Sequence, residues 1–261
     1  MSFLLSGLPI SYALLTSVFI VISLVGCDRV TRQDKVPPAA PVLLETGPEE
    51  SFCESGIDAV PQDDWIRIEW TAGEEKDLAG YEIYRRAEDE AALSLIFTLP
   101  VGEVEETSPD TAFWHDKSVR ILVRYFYQMR AFDSSGNRSD FSNTVDYKLL
   151  PKLIPIWPKG EIEEGAQEFQ FWWGQNPEEV TSIIIRLLDS GDNPLWISKP
   201  MVPRGYGEKV VVEYNFDGRA ALPVLPPGSY RWRVDSIGPE RRSGSESRWT
   251  EFSVTRLSQK M

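Results

Sequence analysis

The sequence predicts an all-β protein of two tandem β-sandwiches, and three observations carry that reading. Ile66, Ile68 and Trp70 alternate with Arg67 and Glu69, and after the charged loop 73–77 the alternation resumes at Tyr81 and Ile83. A period of two is the signature of a strand with one buried face. The pattern then returns about a hundred residues later. Trp173 lies 103 residues beyond Trp70; Ile183, Ile185 and Leu187 echo Tyr81, Ile83 and Arg85 at 102; Tyr230, Trp232 and Val234 echo Tyr125, Tyr127 and Met129 at 105; Ser247 and Trp249 echo Ser139 and Phe141 at 108. Nearly constant offsets mean a duplicated unit with small loop changes. Finally, 19 prolines and 18 glycines in 261 residues divide the chain into short segments joined by turns.

The 27 Lys and Arg against 40 Asp and Glu leave a net charge of −13. Such a surface repels phosphate backbones, so nucleic acid is excluded as a partner. The acidity serves solubility, or forms a patch for a basic partner or cations.

Residues 1–26 carry no charged side chain, and the apolar run 12–25 ends in Leu24-Val25-Gly26-Cys27. This ending resembles the lipobox of bacterial lipoproteins, which implies cleavage before Cys27 and acylation of that cysteine. Each buried methylene of an acyl chain is worth roughly 0.8 kcal/mol, so such an anchor is in effect permanent. The resemblance places the chain in the bacterial cell envelope, held to a membrane and facing the periplasm or exterior. Asp28 resembles an inner-membrane retention signal of enteric bacteria. One feature departs from the pattern: no basic residue precedes the apolar run, while Arg29, Arg32 and Lys35 follow it. An uncleaved signal anchor, with the domains in the cytoplasm, is the alternative. With Cys27 lipidated, Cys53 has no partner within the chain, and is read as a free thiol or a link between chains.

Residues 27–38 form a polar tether ending in Pro37-Pro38, a semi-rigid spacer. The first domain is expected over 39–148. Its opening strand is Pro41-Val42-Leu43-Leu44. Between Glu45 and Asp64 every charged side chain is acidic. The spacing does not match a calcium-binding helix-loop-helix, so a solvated insertion is expected. Strands follow at Leu95–Leu99 and Tyr125–Ala131, separated by an acidic loop over 102–110. The turn 133–137 leads to a closing strand.

The strand Trp70, Gly80-Tyr81-Glu82-Ile83-Tyr84-Arg85, the alternating Tyr125, Tyr127, Met129 and Ala131, and Asp133-Ser134-Ser135-Gly136-Asn137-Arg138-Ser139 together resemble a fibronectin type III domain. The resemblance implies that Tyr125 is a tyrosine-corner residue, its hydroxyl tied to nearby backbone. No Arg-Gly-Asp stands in the loop before the last strand, so the integrin contact of some members does not carry over. Asn137-Arg138-Ser139 has the form of a glycosylation triplet and is assigned no role.

After the prolines at 151, 155 and 158, the second domain occupies 149–256 and resembles a divergent fibronectin III or Ig-like domain; 257–261 is a tail. Here tryptophan is concentrated. Alternation sends Trp173 and Trp232 inward and Trp172 outward. Trp172 and Trp196 are the candidate ligand platform, because exposed aromatic rings stack on the apolar faces of sugars. The alternative is that Trp172 packs on neighbouring protein. Arg231, Arg233, Arg241, Arg242 and Arg248 near Trp249 suggest cation–π stacks.

The single histidine, His115, cannot build a metal site of the usual ligand count, and is read as a strand residue rather than a base. The sequence has no Gly-x-Ser-x-Gly, no phosphate-cradling glycine loop and no His-Glu-x-x-His. No enzyme, cofactor or metal is expected. The reading is a non-catalytic lipid-anchored envelope protein presenting two modules for protein–protein contact or as a spacer, with an envelope protein as partner. A carbohydrate-binding module for a polysaccharide is the second reading. A two-domain periplasmic chaperone shares the architecture and is disfavoured by the anchor and the acidic charge.

Overall fold

The alternation at Ile66, Ile68 and Trp70 turns these side chains onto one face, where all three are completely buried. The computed structural model describes residues 34–51, 54–165, 168–173, 179–202 and 209–256, which belong to one compact unit. The leader, Cys27, Cys53 and the tail lie outside the described residues.

The first sandwich contains β1 (Val42–Leu43), β2 (Asp58–Ala59), β3 (Ile66–Thr71), β4 (Leu78–Ala87), β5 (Ser94–Pro100), β6 (Glu105–Ser108), β7 (Thr111–Asp116), β8 (Arg124–Asp133) and β9 (Val145–Leu149). One sheet runs β1-β3-β7-β6 with β2 also on β3, and the other runs β9-β8-β4-β5. This is a fibronectin III-like strand order. The second sandwich contains β10 (Ile154–Trp157), β11 (Gly160–Glu163), β12 (Glu168–Trp172), β13 (Ser182–Asp189), β14 (Pro194–Ile197), β15 (Lys209–Glu213), β16 (Gly228–Ile237), β17 (Ser243–Glu246) and β18 (Thr250–Thr255). Its sheets run β10-β12-β15 and β11-β18-β16-β13-β14, with β11 parallel to β18. Among the described residues no helix is long and apolar enough to cross a membrane.

Each sandwich has its own core. Trp70, Tyr81, Ile83, Tyr127 and Met129 centre the first, which runs to Leu149; Phe169, Phe171, Trp196 and Trp232 centre the second, which begins at Leu150. The duplication is visible in the register: Ile83 pairs with Met129 as Ile185 pairs with Val234. Tyr125 forms the expected corner, accepting the Arg120 backbone N–H at 3.2 Å. Tyr230 makes the equivalent corner, donating its hydroxyl to the Pro226 carbonyl at 2.6 Å.

Two details of the repeat change. The Met129 and Val234 backbone N–H groups donate to Ser142 Oγ and Ser247 Oγ, each at 2.9 Å. Ser247 therefore corresponds to Ser142 at the common offset of 105, not to Ser139. The acidic stretch 102–110 is not wholly loop, since β6 pairs with β7 there. As an edge strand with all four residues exposed, β6 carries no apolar alternation to announce it.

The sandwiches are also joined by backbone. Strand β17 is antiparallel to β16 and parallel to β9, so one sheet of ten strands passes from the first sandwich into the second.

Candidate functional site

The most elaborate polar site lies at this join. Strand β13 reads Ile183-Ile184-Ile185-Arg186-Leu187-Leu188, and all six residues are buried. A lone cation in such a strand requires partners. The insertion of the first sandwich supplies them: Arg186 donates to the carbonyl oxygens of Glu49 at 2.5 Å and Ser51 at 2.6 Å. Its Nε binds Asp235 Oδ2 at 2.6 Å. On β16, Arg233 and Asp235 share a face because they are two residues apart. The Arg233 guanidinium contacts Glu54 from the insertion, Asp235 at 3.0 Å and Glu246 at 2.7 Å. Further out, Arg219 meets Glu50, and Arg241 and Arg242 meet Glu45.

The insertion is thus not the solvated loop expected from its composition; it is a clasp, held by arginines of the second sandwich. Gly56 allows its return. With φ +82° it bends where a Cβ would lie 2.0 Å from the Glu45 carbonyl oxygen. Behind the clasp, Lys152 Nζ donates to the Val60 and Glu246 carbonyls at 2.6 Å each. Arg124 bridges Asp146 and Glu240, the latter at 2.8 Å. Tyr147 on β9 donates to Asp58 Oδ1 at 2.8 Å.

Acid exceeds base here. Glu49, Glu54, Asp58, Asp235 and Glu246 face the guanidinium groups of Arg186 and Arg233. Burial, with Asp58 and Asp235 beside it, pushes Glu49 up to about 7. Burial and the neighbouring Glu54 raise Asp58 to about 7 as well. Burial also lifts Glu246 well above the carboxylate range, against the pull of Arg233. For Arg233, burial opposes the charge, but Asp235, Glu246, Glu54 and Asp58 outweigh it and hold the guanidinium more basic than usual.

Oxygen atoms of Glu54, Asp235 and Glu246 lie within 4.8 Å of one another, a spacing that suits a metal. Arg233 contacts all three and takes the cation's place. The arrangement neutralises, orients and locks; it presents no nucleophile to a substrate.

A groove of about 360 Å³ leads from the clasp past Glu54, Asp58 and Glu106 to His115. His115 is a half-buried β7 residue whose ring packs near Trp65 (5.9 Å) and Phe113 (5.3 Å). Burial lowers its pKa. Among the described residues no carboxylate or hydroxyl is hydrogen-bonded to it.

The two candidate platform residues are not brought together. Trp172 is partly exposed on the outer face of β12, opposite Ile154 on one side and Lys209 on the other. Trp196 is 1% exposed in the core, against Phe169 and Tyr214, with Nε1 donating to Asp217 at 2.9 Å. It is a core residue and cannot stack on a ligand, because alternation on β14 turns it inward. The expected arginine stacks do form: Arg231 and Arg233 lie 4.7 and 4.9 Å from the Trp249 ring centre.

No protein-family profile matches the chain, and no curated protein matches it. Among solved structures, it is similar to the FN1–FN3 domains of chicken CNTN1, at 14% identity and a TM-score of 0.31, over 83% of this chain and 69% of that one. A two-domain fibronectin type III segment of chicken tenascin gives 11% identity and a TM-score of 0.28, over 76% and 95% of the two chains. A structure described as a myokine gives 18% identity and 0.28, over 42% and 96%. The fibronectin III-like description rests on the strand order and the tyrosine corners of the chain itself.

Proposed function

We propose that this chain is a non-catalytic, lipid-anchored protein of the bacterial cell envelope, tethered through Cys27, whose two sandwiches act as one stiff arm for protein–protein contact or as a spacer. The observation that carries the reading is the clasp. A chain that only strings modules together has no need to bury arginines of one module against an insertion of the other. Buried ion pairs contribute little net stability over apolar packing but fix geometry, and a fixed geometry matters to a presenter or spacer. The site chemistry agrees, because the polar cluster is internally consumed by its own ion pairs.

The test is in intact cells. Cys27→Ser is expected to abolish lipid labelling and leave an unprocessed precursor. Crosslinking the native protein is expected to capture a discrete envelope protein, and loss of anchoring is expected to remove that product. An unchanged mature size with unchanged fractionation refutes the anchor. A polysaccharide retained by the native chain and lost in Trp172→Ala replaces this reading with the carbohydrate one, which keeps only Trp172 of its two platform residues.

A further inference from the structure

We propose that the free edge of β5 is the contact surface, and that it receives an extended protein segment with an apolar centre and Lys or Arg at its ends. This deepens the protein-contact reading and rests on it.

Strand β5 closes one end of the ten-stranded sheet and pairs only with β4 among the described residues. Its outer backbone groups are therefore a template for another strand. From Ser94 to Val101 no side chain is charged, in a chain where 26% of residues are. Leu95, Phe97 and Val101 are 50%, 38% and 47% exposed. Protein edges are commonly guarded by charge, and this one is not. The Phe97 ring stacks on half-buried Trp114 at 5.1 Å and 22°, which gives the edge a firm aromatic floor.

Charge at the two ends selects the occupant. Glu88, Asp89 and Glu90 stand exposed at one end of the strand, and Glu103, Glu105 and Glu106 at the other. The nearby cations are already engaged: Arg85 with Asp116, Arg67 with Glu69, and Arg86 over Phe126. Both rims are thus left acidic. A second copy pairing antiparallel through β5 would set the 88–90 acids of one chain against the 103–106 acids of the other. Anionic lipid meets the same repulsion. A basic-ended segment meets attraction at both ends and apolar contact between them.

The probe is a labelled peptide of alternating Val and Thr between paired Lys residues, titrated into the full chain in detergent. Its counterpart carries Glu in place of Lys. The Lys-flanked peptide is expected to bind about tenfold or more tighter than the Glu-flanked one, with affinity falling as salt rises. Leu95→Lys, at an exposed position, is expected to remove that preference without changing the melting temperature. A Leu95→Lys chain that still binds, equal binding of the two peptides, or binding of neither overturns the proposal. So does a β5-dependent dimer in sedimentation. If the cellular crosslink persists in Leu95→Lys, the protein-contact reading stands and the surface assigned here is wrong.

Discussion

Replacing Asp58 by Asn tests the electrostatics of the clasp directly. Burial and Glu54 carry this carboxyl from its ordinary 3.8 to about 7. Below about pH 4 folded and unfolded chains both hold the proton. As pH rises toward 7 the unfolded chain releases it while the folded chain keeps it, so Asp58 removes stability across that interval and the loss levels off above 7. At about 1.4 kcal/mol for each pH unit the ceiling is roughly 4 kcal/mol. Asp58 keeps some solvent contact and shares its field with Glu54 and Arg233, so roughly 1–2 kcal/mol is the expected measured effect. Asn keeps the acceptor that matters, because the Tyr147 hydroxyl and the Ala59 N–H both donate to Oδ1 at 2.8 Å. Urea unfolding of native and Asp58→Asn chains at matched pH is the assay. The variant is expected to gain stability over the native chain progressively from pH 4 to 7, then hold its advantage. Asp217 and Glu240, whose pKa values are lowered, act with the opposite sign and cancel in the difference. A gap independent of pH, or a native chain more stable than the variant at pH 8, refutes the reasoning.

The join and the core offer two simpler tests. A Cβ at Gly244 of β17 would lie 2.5 Å from the Ser236 carbonyl oxygen and 3.1 Å from the Tyr147 hydroxyl. Gly244→Val is expected to cost about 1–3 kcal/mol and to part β17 from β9, widening the distribution of shapes in small-angle scattering; an unchanged profile counts against a strand-linked join. Trp196→Ala is expected to cost about 3–5 kcal/mol in chemical denaturation, whereas Trp172→Ala on the outer face stays within about 1 kcal/mol. A larger loss at Trp172 would reverse the assignment of the two rings.

The architecture was legible because its signals are local. Alternation within β3, β4 and β8 needs only neighbouring residues, and large aromatics at a near-constant offset expose the second copy. Trp172 and Trp173 sort outward and inward by the same rule. Trp196 did not sort, because four-residue β14 stands among Gly, Asp, Asn and Pro and is too short to set a phase. The clasp was illegible for a different reason. Glu49 and Arg186 are 137 residues apart and Glu54 and Arg233 are 179 apart, so their pairing leaves no trace in any window of sequence. An all-acidic stretch read alone is a solvated loop; only the fold brings arginines to it. A hint did exist in Arg186, a single cation within an otherwise apolar strand.

Why charge rather than hydrocarbon seals the join follows from what each can specify. An apolar seam between two sandwiches tolerates sliding, since dispersion is non-directional and similar in many registers. The planar fork of Arg186 accepts no such freedom: it reaches two backbone carbonyls of the insertion and the Asp235 carboxylate at once. Displacing the clasp would strand buried guanidinium groups without partners, at a cost of about 3–5 kcal/mol for each pair broken. The ladder between β9 and β17 would be lost with it. Partial opening is therefore penalised at the first step, and the two sandwiches have one favoured arrangement rather than a range. A binding edge on β5 then points in a direction set by the second sandwich as much as by the first.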